Sequence, residues 1–304
     1  MPDLDCLAIG SCAFDVLMSV DHVPRSDERV SASAVTAGGG GPAATAAAAM
    51  AKLGLRTALV SAVGADIFGT SIVSELAAAG VATEGIQVLP DTASTVSSVL
   101  IEASGHRSMS VFRGCINKID LSKIDFERIA DARCIHLDGN NPTLAEAAAR
   151  RARALGVPVS MDGGNISPES LMPLLPWVDI YIPDEQSVAR QLGTGDPREA
   201  CRRFRASGPK LVCVTRAEHG SLAYDGETFV EVPAFSGVPI VDTTGAGDNF
   251  HGAFVYGHLA GWPMEDVLRF SNTFAALCCR AVGGRGSVPT LSETQEHMRR
   301  GTFV

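Results

Sequence analysis

Short apolar runs alternate along the chain with longer stretches of helical period. CLAIG (6–10), TALVSAVG (57–64), RCIHLDG (133–139), VPVSMDGG (157–164), VDIYIP (178–183) and KLVCVTRA (210–217) read as strands. AATAAAAMAKLG (43–54), FGTSIVSELAAAG (68–80), TLAEAAARRARALG (143–156) and EQSVARQLG (185–193) read as helices closed by glycine. Asn141 before Pro142 and Asp196 before Pro197 mark two helix starts. This alternation predicts an α/β fold with a largely parallel sheet covered by helices.

Two regions depart from it. Residues 14–36 and 93–113 show period-two, β-branched patterning without a neighbouring helix, and the second contains a Ser104-Gly105 turn signal. They predict a small separate β-sheet lid over one edge of the core. No linker or repeat divides the chain, so residues 1–304 read as one domain carrying that lid. A hydrophobic fraction of 46% and a mean hydropathy of +0.16 fit a large buried core. No apolar run approaches the roughly 18 residues of a membrane span, and MPDLDCLAIG lacks a basic leader, so a cytoplasmic protein is expected. The eight cysteines are scattered without a C-x-x-C pair and read as reduced, buried thiols. A net charge of −9 argues against a nucleic-acid surface and for a small-molecule partner. The arginine-rich stretches at 148–156 and 201–208 read as solvated helix faces.

The chemistry concentrates in VDTTGAGDNFHGAF (241–254). A strand VPIVDTT leads into Gly245-Ala246-Gly247, whose successive N–H groups can line an anion-binding concavity before the helix NFHGAFVYGHLAG. Asp248 is either the N-cap of that helix or a carboxylate beside the anion hole, placed to take a proton from a hydroxyl. His251 reads as a satisfied structural histidine, with an acid/base partner as the alternative. Phe250 stands where a dinucleotide fingerprint needs glycine, and no Walker A, G-x-S-x-G or H-E-x-x-H pattern occurs.

DTTGAGDNFHGAF resembles the C-terminal signature of the PfkB (ribokinase-like) carbohydrate kinases, and GGGGPAATAAAAMAKLG (38–54) resembles their N-terminal glycine-rich signature. Asp15 after IGSCAF, VTRAEHGSL (214–222) as a strand and AVGGRGSVP (281–289) extend the resemblance over essentially the whole chain. The motif style is similar to ketohexokinase-like and sulfofructose-kinase-like members. The resemblance implies a three-layer α/β/α core with a β-lid, and ATP-dependent phosphorylation of a sugar hydroxyl. It assigns Asp248 as general base and the N–H groups of Gly245, Ala246 and Gly247 as the hole for the transferring phosphoryl group. Asp15, Gly39, Gly40, Gly41 and Thr45 would meet the sugar, the glycines leaving backbone groups free for the ring.

By the same resemblance, Thr215, Ala217 and Gly220 belong to the nucleotide-phosphate loop, and the adenine pocket lies between it and Ala275–Gly286, which includes Gly284 and Gly286. Asp242 and Thr244, with carbonyls near Val282 and Gly284, match a site for a monovalent cation such as K+. The chain also departs from the family. Thr45 replaces a frequent asparagine, and Asp184-Glu185-Gln186-Ser187 replaces the N-x-x-E that organises Mg2+, leaving Asp184 or Glu185 to reach metal-bound water. Asn140 stands near the place of an arginine expected for a sulfonate, while Arg29 and Arg113 on the lid segments are candidates for an anionic or polyhydroxylated substituent. With two Trp and three Tyr, a sugar is expected over a nucleoside, although Phe14 and Phe112 could form a base platform. A homodimer through the lid is the expected assembly.

Overall fold

The strands predicted by the alternation pair in parallel, and the computed structural model describes them within residues 2–102, 107–164 and 166–303. In chain order the strands are β1 (Leu4–Ile9), β2 (Ala13–Val20), β3 (Ala34–Gly40), β4 (Thr57–Gly64), β5 (Val81–Ala82), β6 (Ile86–Leu89), β7 (Val96–Glu102) and β8 (Arg107–Phe112). They continue as β9 (Ala132–Leu137), β10 (Val159–Asp162), β11 (Ile180–Ile182), β12 (Leu211–Thr215), β13 (Ser221–Tyr224), β14 (Phe229–Val232), β15 (Phe235–Ser236) and β16 (Thr302–Phe303). The helices are α1 (Pro42–Lys52), α2 (Ile67–Ala78), α3 (Pro142–Leu155), α4 (Pro168–Leu171), α5 (Glu185–Leu192), α6 (Pro197–Ala206), α7 (Ala246–Leu259), α8 (Met264–Cys278) and α9 (Leu291–Arg300).

The large sheet runs β14-β13-β12-β11-β10-β9-β1-β4-β5, with β6 also paired to β4; it is parallel from β5 to β12 and antiparallel beyond. Every residue of β4 is buried, which is why TALVSAVG shows no polar alternation. The predicted caps form: Asn141 Oδ1 accepts from Leu144 N at 3.1 Å, and Asp196 Oδ1 from Arg198 N at 2.8 Å. Gly54, Gly80, Gly156 and Gly193 end their helices at positive φ. All eight cysteines are free and buried, with Cys6 and Cys134 facing one another across β1 and β9 at 3.6 Å. No helix among the described residues is long and apolar enough to cross a membrane.

The two period-two regions form a second sheet, β3-β2-β7-β8. Its strands differ from the predicted bounds. β2 stops at Val20, residues 21–33 carry Pro24 and a left-handed Asp27 (φ 62°) and form no strand, and β3 runs on through Gly38–Gly40. The Ser104-Gly105 turn signal lies outside the described residues. A second correction concerns VPIVDTT, which is irregular: Pro239 lacks an N–H, and the amides of Val241 and Asp242 bond to the Cys279 carbonyl, at 2.7 and 3.2 Å, instead of to a strand.

Helix α1 is buried from Ala43 through Met50, and its small side chains let α7 come close. A Cβ built on Gly252 of α7 would sit 2.7 Å from Ala49 Cβ and 2.8 Å from the Ala46 carbonyl. The helix following the glycine-rich strand and the helix carrying Asp248 are thereby set side by side.

Candidate active site

Helix α7 begins at Ala246, three residues before the predicted start, because Gly245 adopts φ 70° and turns the chain into the helix. Its Cβ would lie 2.7 Å from Gly284 Cα, so a side chain there meets backbone. Asp248 is consequently the third helical residue and not the N-cap, and its half-buried carboxylate makes no hydrogen bond among the described residues. Of the amides expected in the anion hole, that of Ala246 donates to the Thr243 carbonyl at 3.2 Å, whereas those of Gly245 and Gly247, and the next one at Asp248, find no acceptor among the described residues. Burial, then the carboxylates of Asp162, Asp138 and Asp15, push the Asp248 carboxyl up from its ordinary range, while Arg285 opposes the shift. The side chain is still partly open to the cleft, so solvent tempers this repulsion.

The acids around it come from the carboxyl ends of adjacent parallel strands, where ligands bind in open α/β sheets. Asp138, just past β9, accepts from Ser11 N at 2.7 Å and Ser11 Oγ at 2.6 Å. Asp162 ends β10, where Gly164 N donates to it at 2.6 Å and His251 Nε2 lies 3.9 Å away; burial and the neighbouring Asp138 and Asp184 raise its pKa. Asp184 follows β11 and is half-buried, its oxygens accepting from Ser187 N at 2.8 Å and Ser187 Oγ at 2.5 Å. Glu185 pairs with Arg216 at 3.3 Å, an ion pair with which any metal role would compete. His251 is buried beside His136, ring centroids 5.5 Å apart, and burial holds both imidazoles well below their ordinary pKa and hence neutral. Burial fits a structural histidine, but the expected satisfaction is not met: His251 Nδ1 and His136 Nε2 are buried without a hydrogen-bond partner among the described residues.

Asp15 on β2 is 8% exposed and accepts a hydrogen bond from Ser97 Oγ of β7. Burial raises its pKa, while Ser97 and Arg285 counteract it. The glycines beside it have concrete causes: a Cβ on Gly40 would collide with the Asp15 carboxylate and one on Gly39 with the Arg285 guanidinium, whereas Gly38 faces open space. Gly41 needs its positive φ of 87° to enter α1. The backbone of this stretch is less free than predicted, since Gly39 N donates to Glu75 at 2.6 Å and the Gly40 carbonyl accepts from Arg285 at 2.7 Å. A cavity of about 210 Å³ opens here between Asp15, Gly38, Gly39, Glu75 and the loop Val282–Gly286. Thr45 is buried and accepts from Arg285 Nε at 3.4 Å.

Arg113 donates to Asn140 Oδ1 at 3.3 Å, and Asn140 in turn to Ser11 Oγ at 3.0 Å, which ties this exposed arginine to the Asp138 cluster. Arg29 stays exposed in the 21–33 segment. Phe14 packs on Phe68, centroids 5.3 Å apart, while Phe112 is 59% exposed. The VTRAEHGSL segment is a hairpin and not one strand: β12 ends at Thr215, a 3-10 turn covers Ala217–His219 and Gly220 starts the return at φ 81°. Thr215 bridges to Asp184. Ala275 is half-buried on α8, and Gly286 closes a turn onto Gly283 at 3.1 Å.

Asp242 accepts from Thr244 N (2.9 Å), Thr244 Oγ1 (2.8 Å) and Gly283 N (2.8 Å). Arg107 of β8 reaches the same turn, 3.0 Å from Thr244 Oγ1 and 3.9 Å from Asp242. Asn249 Nδ2 fastens the turn to the loop beyond α8, donating to the carbonyls of Gly245 at 2.9 Å and Gly284 at 2.7 Å. The sequence reading missed Asp138, Asp162, Glu75 and Arg285. The repeated acid-glycine endings of RCIHLDG and VPVSMDGG were a usable signal for the first two, whereas nothing local marks Glu75.

A family model described as pfkB family carbohydrate kinase matches residues 3–291. The chain is 28% identical to deoxyribokinase of Salmonella typhimurium, covering 97% of this chain and 99% of that protein. Its fold superposes on Arabidopsis thaliana ribokinase complexed with ribose and ATP with a TM-score of 0.86 at 26% identity, covering 97% and 99% of the two chains. It also superposes on an E. coli chain solved with ATP and Mg2+, with a TM-score of 0.85 at 26% identity over 98% and 99%. With the acid cluster, the glycine-rich strand and the anion turn gathered at one end of the sheet, the chain belongs to the pfkB family carbohydrate kinases.

Proposed function

We propose that the protein transfers the γ-phosphoryl group of ATP to a primary hydroxyl of a neutral, polyhydroxylated sugar held under the small sheet as a lid, with Asp248 as general base. The observation that carries this is Asp248 itself: a carboxylate in the first turn of α7 that, among the described residues, makes no hydrogen bond and lies beside backbone amides without acceptors. The hydroxyl proton passes to Asp248, the hydroxyl oxygen forms the new bond to phosphorus, and the bond to the β-phosphate oxygen breaks to leave ADP. The amides of Gly247 and Asp248 meet the charge on the phosphoryl oxygens, where one such donor is worth about 2.7–4 kcal/mol. Asp15 accepts from sugar hydroxyls. A neutral acceptor is favoured because the carboxylates of Asp162, Asp138 and Asp15 already repel charge on Asp248, while Arg285 is matched to Glu75.

Magnesium commonly uses one or two protein carboxylates besides substrate phosphates. Asp162 and Asp184, which both flank Gly164, fit that pattern, and among the described residues no cluster of three metal-ligating side chains competes with them. The ion, when bound, would neutralise phosphate charge. Thr215, Ala217 and Gly220, opposite Ala275 and the Gly284–Gly286 loop, are assigned to the nucleotide. A potassium ion, if used, would sit with the carbonyls of the loop that Asp242 and Thr244 organise. Cytoplasmic residence is supported by eight unpaired thiols. A homodimer through the lid is supported by the exposed Val35, Met109, Val111 and Phe112.

The test is ADP release over a panel of neutral sugars, acid sugars and nucleosides. Turnover on neutral sugars is expected. Nucleosides as the best acceptors would overturn the acceptor assignment, and no ADP release with any of them would overturn the kinase reading.

A further inference from the structure

The loop Val282–Gly286 touches both halves of the cleft. On one side it is fastened to the anion turn by Asp242 to Gly283 N (2.8 Å), by Asn249 to the Gly284 carbonyl (2.7 Å) and by the packing of Gly284 on Gly245. On the other it sends out Arg285, whose side chain is only 7% exposed. That guanidinium donates to the Gly40 carbonyl at 2.7 Å and Thr45 Oγ1 at 3.4 Å, and pairs with Glu75 at 3.3 Å. Glu75 completes the ring by accepting from Gly39 N at 2.6 Å.

A buried guanidinium is costly unless its donors are matched, and a planar fork holding three acceptors on three elements fixes their relative positions. Arg285 thus ties a loop on the phosphoryl side to β3, α1 and α2 on the acceptor side. Resting on the functional reading above, we infer that Arg285, held by Glu75, is a positioning residue that transmits nucleotide occupancy of the anion turn to the acceptor-binding strand Gly38–Gly40. Nucleotide binding that orders the anion turn stiffens the loop, and the guanidinium carries that order to Gly39, Gly40 and Thr45. The coupling is reciprocal for binding.

The experiment is hydrogen–deuterium exchange of the full chain with and without magnesium and an unreactive ATP analogue with an imido β,γ-bridge. It is read at peptides covering 242–249 and 36–46 in the wild type, Arg285→Lys and Glu75→Gln. In the wild type both peptides are expected to slow, the second by at least about fivefold, at the low end of ordinary coupling energies. In both variants 242–249 should still slow while the response at 36–46 is lost. Equal slowing at 36–46 in the variants, which a purely packing role would give, overturns the inference, as does an unchanged 36–46 in the wild type. If 242–249 itself fails to respond in the wild type, the anion-turn assignment falls and this inference with it. Melting curves report whether Arg285→Lys folds, and Glu75→Gln, on a side chain 36% exposed, carries the test if it does not.

Discussion

Replacing Asp248 with asparagine should slow the enzyme and stabilise it together. Asparagine keeps the side-chain shape but cannot accept the hydroxyl proton, so kcat should fall by roughly 10²–10⁴. The stability effect follows from the surroundings: Asp162, Asp138 and Asp15 repel the charge, Arg285 attracts it, and the helix N-terminus favours it by about 0.3–1 kcal/mol. The raised pKa says that burial and repulsion prevail, and a single stabilising substitution, such as one that improves local charge, commonly gains about 0.5–2 kcal/mol. At about 2.1 cal/mol/K per residue, 304 residues give an unfolding entropy near 0.6 kcal/mol/K, so the gain is roughly 1–3 °C in Tm. The pH dependence fixes the cause. Asp248 titrates higher in the folded protein than in the unfolded chain, so the wild type loses stability as pH rises from the unfolded pKa through the folded one. The advantage of the variant should be absent near pH 4, grow with pH and level off above the folded pKa. Melting curves at intervals from pH 4 to 9 measure it. A wild type equally or more stable than the variant at pH 8 would refute the proposed electrostatics, and near-normal turnover would remove Asp248 as the base.

Asp15→Ala should lower kcat/KM for the sugar through the loss of one or two charge-assisted hydrogen bonds, about 1.5–3 kcal/mol each, with ATP affinity almost unchanged; unaltered sugar kinetics would misplace the acceptor site. Because Asp248 must be ionised to act, kcat/KM should fall as pH is lowered through its raised pKa, and a flat acid limb in steady-state rates would contradict that. EDTA should abolish turnover, and titration with potassium tests the monovalent site separately, since indifference would remove that site alone. Gly39→Ala places a methyl against the Arg285 guanidinium and Glu75, so the sugar KM should rise well beyond any change in the ATP KM; equal changes would argue for a general folding defect.

The α/β alternation was legible because each buried strand is a short apolar run between helices, and the second sheet because its strands alternate with period two. Boundaries failed where backbone chemistry overrode pattern. Gly245 at positive φ starts α7 early and so converts Asp248 from an apparent cap into an unbonded carboxylate. Pro239 and the Cys279 carbonyl break up an apparent strand. The glycine-rich strand was read as leaving backbone free for a ligand, whereas two of its glycines make room for protein side chains 25 and 246 positions away in sequence. Arg285 and Glu75 could not be foreseen as partners: 210 residues separate them, and nothing in AVGGRGSVP or FGTSIVSELAAAG links the two.

The close approach of α1 and α7 bears on how the enzyme can change by mutation. An alanine-rich tract looks like filler that any small apolar residue could replace, yet at Ala46, Ala49 and Gly252 it works as a spacer gauge between the helix after the glycine-rich strand and the helix that carries Asp248. One added methyl there separates the two helices, and a misplacement of about 1 Å can cost 10²-fold in rate even where the fold survives. Variation in this enzyme should therefore be freer along the cavity rim, where Gly38 faces open space, than in the featureless stretch behind it.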